Sequence, residues 1–271
     1  MTARRINPSG IVTLTTDFGT ADAYVGALKG VILTLAPPVR LVDIAHDVKP
    51  QDVGGGAAVI AGAAGCFPDG TVHVAVVDPG VGTARAPIVI QARGQWFVGP
   101  DNGVFSPLTA DDKAICRRID CDGWLRPLLG ASISSTFHGR DVFAPISALL
   151  ASGMARFQDV GPIVQPILMD TITVRDDGEF LRGEVVTIDH FGNCITNLRP
   201  ATGTVVVETG RTVVVKGGTE VPWVDTYAAV APECGLALVG SQGYLEIAVR
   251  DGSAAKHFGL QKGDTVRIRS V

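Results

Sequence analysis

Hydrophobic positions in the first half of the chain come in short runs, each broken by a polar loop rich in glycine. Ile11 to Thr16 reads as a strand ended by Asp17-Phe18-Gly19. Ala23 to Leu35 has helical spacing, with Val25, Leu28, Ile32 and Leu35 on one face, and Pro37-Pro38 closes it. Arg40 to Ile44 predicts a strand, Val53 to Ala64 a helix of small residues, and the β-branched run Thr71 to Val77 a buried strand. Two further strands, Ala86–Ala92 and Gln95–Val98, flank Arg93-Gly94 as a hairpin, and Asp141 to Ser152 reads as a helix with Pro145 in its first turn. Strands alternating with helices predict an α/β domain with a mostly parallel sheet, over residues 1–166.

The pattern changes near Gly161-Pro162-Ile163-Val164-Gln165-Pro166. Helical spacing almost disappears. Short strands follow at 181–188, 204–208, 212–215, 236–239, 244–249 and 265–268, separated by turn signals. This predicts a small all-β barrel over residues 167–271.

Composition narrows the function. The 271 residues are 46% hydrophobic with a net charge of −4, so no basic footprint points to nucleic acid, and no window approaches a membrane span. Cysteines 66, 116, 121, 194 and 234 are scattered, with neither CxxC pair nor zinc spacing, and read as reduced thiols of a cytoplasmic protein. No signal peptide is read at the start.

Candidate chemistry gathers in the loops. Asp78 follows a predicted strand, and Pro79-Gly80-Val81-Gly82 then forces a tight turn that brings Arg85 back toward it. Thr136-Phe137-His138-Gly139-Arg140-Asp141 and Ile188-Asp189-His190-Phe191-Gly192-Asn193 are two more decorated stretches. Taken singly, each has a plain reading: a surface ion pair, a structural histidine, an Asx turn, or Asp17 as the cap of the following helix.

With Thr15-Thr16-Asp17-Phe18-Gly19 and Gly99-Pro100-Asp101-Asn102-Gly103, these stretches resemble, in the same order, the S-adenosyl-L-methionine hydroxide adenosyltransferases, relatives of the fluorinase and chlorinase. The resemblance runs from about Ile11 to about Val266. It implies hydrolysis of S-adenosyl-L-methionine to adenosine and L-methionine. It also implies a homotrimer whose ligand lies between the N-terminal domain of one subunit and the C-terminal domain of its neighbour. Asp78, Arg85 and His138 match the family's water-activating set, and Asp17 the carboxylate that grips the ribose hydroxyls. Asp189 and Asn193 match residues near the methionine and nucleoside, Ser241 the methionine end, and Glu246 and the Val249 backbone the adenine side. Asp101 and Asn102 lie in a family motif without an assigned role.

The residue types suit that chemistry. A sulfonium leaves without protonation, so the task is to hold ribose C5′ in line with water. Arg85 is always charged and can hold water or hydroxide, while His138 is a candidate proton acceptor oriented with Asp78. Neither cofactor nor metal is expected. A halogenase of the same superfamily, a non-catalytic nucleoside-binding protein and an unrelated metal-dependent hydrolase are the competing readings. Fluorinase-like enzymes resemble Thr-Phe-Tyr-Ser where this chain has Thr136-Phe137-His138-Gly139, and they lack the Asp-Pro-Gly turn.

Overall fold

The computed structural model describes residues 6–109, 113–130, 132–169, 174–199 and 212–269. The chain divides between Met169 and Asp170 into two compact units, each with its own sheet. The strand expected at 204–208 lies outside the described residues.

The first unit runs β1 (Ile11–Thr16), α1 (Tyr24–Leu35), β2 (Arg40–Ala45), α2 (Val53–Ala64), β3 (Val72–Val76), β4 (Pro87–Ala92), β5 (Gln95–Pro100), α3 (Ser106–Thr109), β6 (Ile115–Arg118), α4 (Arg126–Leu129), α5 (Ala144–Ala151) and β7 (Ile163–Val164). Its sheet has the order β2-β1-β3-β5-β4-β6-β7. Alternate residues of β3 serve opposite faces. Val72, Val74 and Val76 join Leu28 and Ile32 of α1, Phe143 just before α5 and Ile146 within it. Ala75 joins Ile60 of α2 with Phe97, Phe105 and Leu108. Each large side chain buried here contributes about 1.5–3 kcal/mol, so both helical layers are held firmly.

The sheet is mixed rather than mostly parallel. The pairings β1–β2, β1–β3 and β3–β5 are parallel, whereas β4–β5, β4–β6 and β6–β7 are antiparallel. The hairpin at Arg93-Gly94 reverses β4 against β5, because two residues can only join antiparallel neighbours. Arg93 itself sits in the left-handed region, φ 52°, as such a turn demands. The helix expected from Asp141 begins instead as a π-helical turn, Gly139–Phe143, which runs into α5 with Pro145 close to the junction.

The second unit runs β8 (Arg175–Asp176), β9 (Phe180–Ile188), β10 (Cys194–Thr196), β11 (Thr212–Val214), β12 (Glu220–Pro222), β13 (Gly235–Val239), β14 (Leu245–Val249), α6 (Ala254–His257) and β15 (Thr265–Arg269). The strands pair antiparallel in the order β12-β11-β15-β9-β10-β14-β13, with β8 beside β9. Leu181, Val185, Val213, Trp223, Ile247 and Val266 fill its interior. The sheet curls until its ends approach: Trp223 bridges Ala237, and the Val224 N–H donates to the Ala237 carbonyl at 2.9 Å.

Candidate functional site

The parallel part of the first sheet determines which loops share an edge. Thr16 is in register with Val76, and Val74 with Val98, so β1, β3 and β5 all end on one side. Asp17, Asp78 and Asp101 therefore leave neighbouring strand ends, where open α/β sheets hold their ligands.

After Asp78 the chain turns sharply. The Thr83 N–H and hydroxyl both donate to the Gly80 carbonyl, at 3.1 and 2.7 Å. Gly82 has φ +78°, and a Cβ there would lie 2.8 Å from the Ser135 carbonyl oxygen. The absent side chain lets the 135–138 segment lie directly on the turn, and that contact brings His138 to it.

Arg85 and Asp78 form a closed pair. Arg85 Nε donates to both carboxylate oxygens at 3.0 and 3.1 Å, and Nη2 also donates to Oδ2. The side chains are only 7% and 5% exposed. Nη2 lies 2.9 Å from His138 Nδ1. A guanidinium can only donate, so Nδ1 accepts and the ring hydrogen sits on Nε2. The guanidinium also stacks 5.4 Å from the Phe143 ring centre. Its Nη1 is buried and has no partner among the described residues. An orphaned charged donor of this kind calls for an explanation, and a bound nucleophile is a natural one. Burial lowers the His138 pKa, and the Arg85 charge adds to the effect. The ring is therefore neutral at neutral pH.

Asp17 is not a helix cap. The N-cap of α1 is Ala23, which makes no side-chain cap bond, while Asp17 Oδ2 accepts from the Gln51 N–H at 2.8 Å. Gln51 holds a left-handed backbone, φ 66°. Phe18, Tyr24 and Phe137 meet in a triangle of aromatic contacts at 5.4–6.1 Å, which joins the Asp17 loop to the residue before His138. Arg140 pairs with Asp141 at 2.6 and 2.8 Å and stacks on Phe137. The first unit thus brings Asp78, Arg85 and His138 into direct contact and holds Asp17 on the same edge.

The second unit carries the remaining candidates. Asp189 organises the turn between β9 and β10. Its carboxylate accepts from Phe191 N–H at 2.9 Å, Asn193 N–H at 2.8 Å and Asn193 Nδ2 at 3.0 Å, which fixes the Asn193 amide. A cleft of about 620 Å³ is lined by Phe191, Asn193, Tyr227, Val249, Arg250 and Gly252, among others. Its size suits a nucleoside-sized ligand. Phe191 is 75% exposed, a large apolar surface left open beside the cleft. Glu246 does not line the cleft but accepts from Tyr227 Oη at 2.5 Å, and burial raises its pKa. The Tyr227 pKa is also raised, by burial and then by that bond. Ser241 is exposed, in a turn closed by the Gly243 N–H to the Gly240 carbonyl at 2.8 Å, and does not line the cleft.

Sequence reasoning did not single out Tyr227 or Gln51. Tyr227 belongs to no recognisable motif, and Gln51 acts through its backbone, which no residue type advertises. Among the described residues no three His, Cys, Asp or Glu come together to hold a metal ion. No described helix is long and apolar enough to cross a membrane.

The chain resembles known proteins in sequence and in fold. Residues 12–161 match the SAM hydroxide adenosyltransferase N-terminal domain and residues 183–267 the C-terminal domain of the same name. The chain is 40% identical to a protein of Salinispora tropica named (R)-S-adenosyl-L-methionine hydrolase, over 96% of this chain and 98% of the relative. A protein of the same name from Thermus thermophilus is also 40% identical, over 93% and 96%. A fluorinase of Actinoplanes sp. is 28% identical over 97% and 98%. Among solved structures, an uncharacterized conserved protein from Thermotoga maritima superposes with a TM-score of 0.84 at 34% identity, covering 95% of this chain and 99% of that one.

Proposed function

We propose, from the premise that the chain belongs to the SAM hydroxide adenosyltransferase family, that it hydrolyses S-adenosyl-L-methionine to adenosine and L-methionine by in-line attack on ribose C5′. The oxygen of water or hydroxide bonds to C5′ while the C5′–S bond breaks. Its electron pair returns to sulfur, the sulfonium becomes the thioether of methionine, and one proton is released. The observation that carries this reading is the buried Arg85 Nη1 beside a neutral His138. The Nη1–H of Arg85 would hold the attacking oxygen and favour its anionic form.

The resting geometry refines the part played by His138. With Nδ1 occupied by Arg85 and Nε2 carrying hydrogen, the ring has no free lone pair. It acts as a proton acceptor only once Arg85 releases Nδ1. Asp78 holds the guanidinium in place. Asp17, with one oxygen on Gln51, offers the other to the ribose hydroxyls. In the second unit, Phe191 and Tyr227 flank a slot for the adenine, with Asn193 and the Val249 backbone on its wall. Asp189 and Ser241 face the methionine end. The names of the relatives favour the (R)-epimer at sulfur as the substrate.

The active assembly on this reading is a homotrimer with each site shared between subunits. The support is the division of candidate groups between two separate units and the family resemblance. Co-refolding Arg85→Ala with Asn193→Ala chains should restore part of the activity if sites are shared. A mixture that stays inactive would reject sharing.

The activity itself is tested with each epimer of S-adenosylmethionine in oxygen-18 water, followed by mass spectrometry. Adenosine labelled at the 5′-hydroxyl is expected, with chelator present or absent. Unlabelled adenosine, 5′-methylthioadenosine, or a 5′-halogenated nucleoside formed in preference when chloride is added would overturn the reading.

A further inference from the structure

The turn that carries Asp78 and Arg85 is held at both ends by two consecutive residues of another loop. Val77, just past β3, presents its carbonyl beyond the last β3–β5 pair, Val74–Val98. Asn102 Nδ2 donates to that carbonyl at 2.8 Å. At the other end Ala86, the residue after Arg85, accepts from the Asp101 N–H at 2.9 Å. Asn102 is itself fixed, because its Oδ1 accepts from the Val104 N–H at 3.2 Å. Asp101 is fixed in turn, its carboxylate accepting from the Ile167 N–H at 2.8 Å. The Val77 carbonyl belongs to the peptide that enters Asp78, so its orientation sets the direction in which the Asp78 side chain departs. The Asp78 carboxylate then sets Arg85 through three contacts, and Arg85 sets His138.

We propose that Asn102 is a positioning residue for the reaction: by gripping the Val77 carbonyl it fixes the Asp78–Arg85–His138 geometry without touching substrate. The proposal rests on those three residues forming the reactive set. A displacement of about 1 Å at a reacting group costs on the order of 100-fold in rate. Asn102→Asp keeps the acceptor for Val104 and loses the donor, turning a carboxylate oxygen toward a carbonyl. Asn102→Ser is the neutral, smaller alternative should the aspartate variant fold poorly.

The test measures kcat and KM for S-adenosylmethionine, together with adenosine affinity and the thermal midpoint. Both variants are expected to lose roughly 100-fold in kcat with KM and adenosine affinity changed less than about threefold. On an Arg85→Ala background the same substitutions should cost nothing further, since the group they position is gone. A merely structural role would lower the thermal midpoint and leave kcat of the folded protein intact, which would overturn the proposal. So would an undiminished effect on the Arg85→Ala background. If Arg85→Ala itself turned over normally, the reactive set would be wrong. If Arg85→Ala were inactive while both Asn102 variants kept their kcat, only the positioning role would fall.

Discussion

Removing Arg85 tests packing and chemistry together. Its side chain and that of Asp78 are 7% and 5% exposed, so Arg85→Ala would leave a carboxylate buried without its counter-charge. Breaking such a pair from one side costs about 3–5 kcal/mol, against at most about 1 kcal/mol for an exposed pair. In a unit of this size that corresponds to a thermal midpoint lower by about 6–20 °C. The double variant Asp78→Asn, Arg85→Ala removes the orphaned charge along with its partner. It should recover most of the loss, giving a coupling of about 2 kcal/mol or more in a double-mutant cycle. Urea unfolding at neutral pH, followed by far-UV circular dichroism, measures all four corners of the cycle. Turnover should fall steeply, to a residual rate, in every variant that lacks Arg85, with KM much less affected. A single variant that loses under about 1 kcal/mol would show that the pair is solvated in solution. A double variant as unstable as the sum of the singles would show that the two groups do not depend on each other.

Three further outcomes follow from particular residues. His73 is fully buried against Phe97 and its pKa is pushed down to about 4 by burial, below the ordinary 6.5 of an unfolded chain. The unfolded state therefore takes up a proton between those values, so stability is full above pH 6.5 and falls toward pH 4 by about 3 kcal/mol, a dependence that His73→Gln should flatten in pH-resolved urea titrations. Gly82→Ala should lose about 1–3 kcal/mol of stability and most activity, because its φ of +78° and the Ser135 oxygen 2.8 Å from the new Cβ force the turn away from His138; normal kcat would refute that contact. Iodoacetamide at pH 8, read by peptide mass spectrometry, should label the exposed Cys66 and Cys234 but not Cys116 or Cys194, whose thiols are buried and pushed up to about 12.

Parts of this molecule are legible in the sequence because their causes are local. The β-branched run ending at Val77 and the Pro-Gly turn after it predict a strand and a tight return, and Arg85 folds back on Asp78 as its seven-residue spacing allows. The hairpin at Arg93-Gly94 is equally local, yet its consequence for the sheet is not, and the expected mostly parallel sheet is in fact mixed. β6 and β7 escaped notice because Ile115–Arg118 and Ile163–Val164 are too short to show a period. The contact between Arg85 and His138 spans 53 positions, and only the family resemblance joined them before the fold did. The grips of Gln51 on Asp17 and Asn102 on Val77 each involve a backbone group, so half of each bond carries no side-chain signature.

The two-ended grip on the 78–85 turn has an evolutionary consequence. Its anchors, Val77 and Ala86, are held through their carbonyl oxygens, which every residue type possesses. Side chains between them can change without removing either acceptor, and the clasp at 101–102 lies outside that stretch. Such a loop behaves as an exchangeable cassette. A lineage can alter the chemistry carried by residues 78–85 while the sheet and the clasp are inherited unchanged.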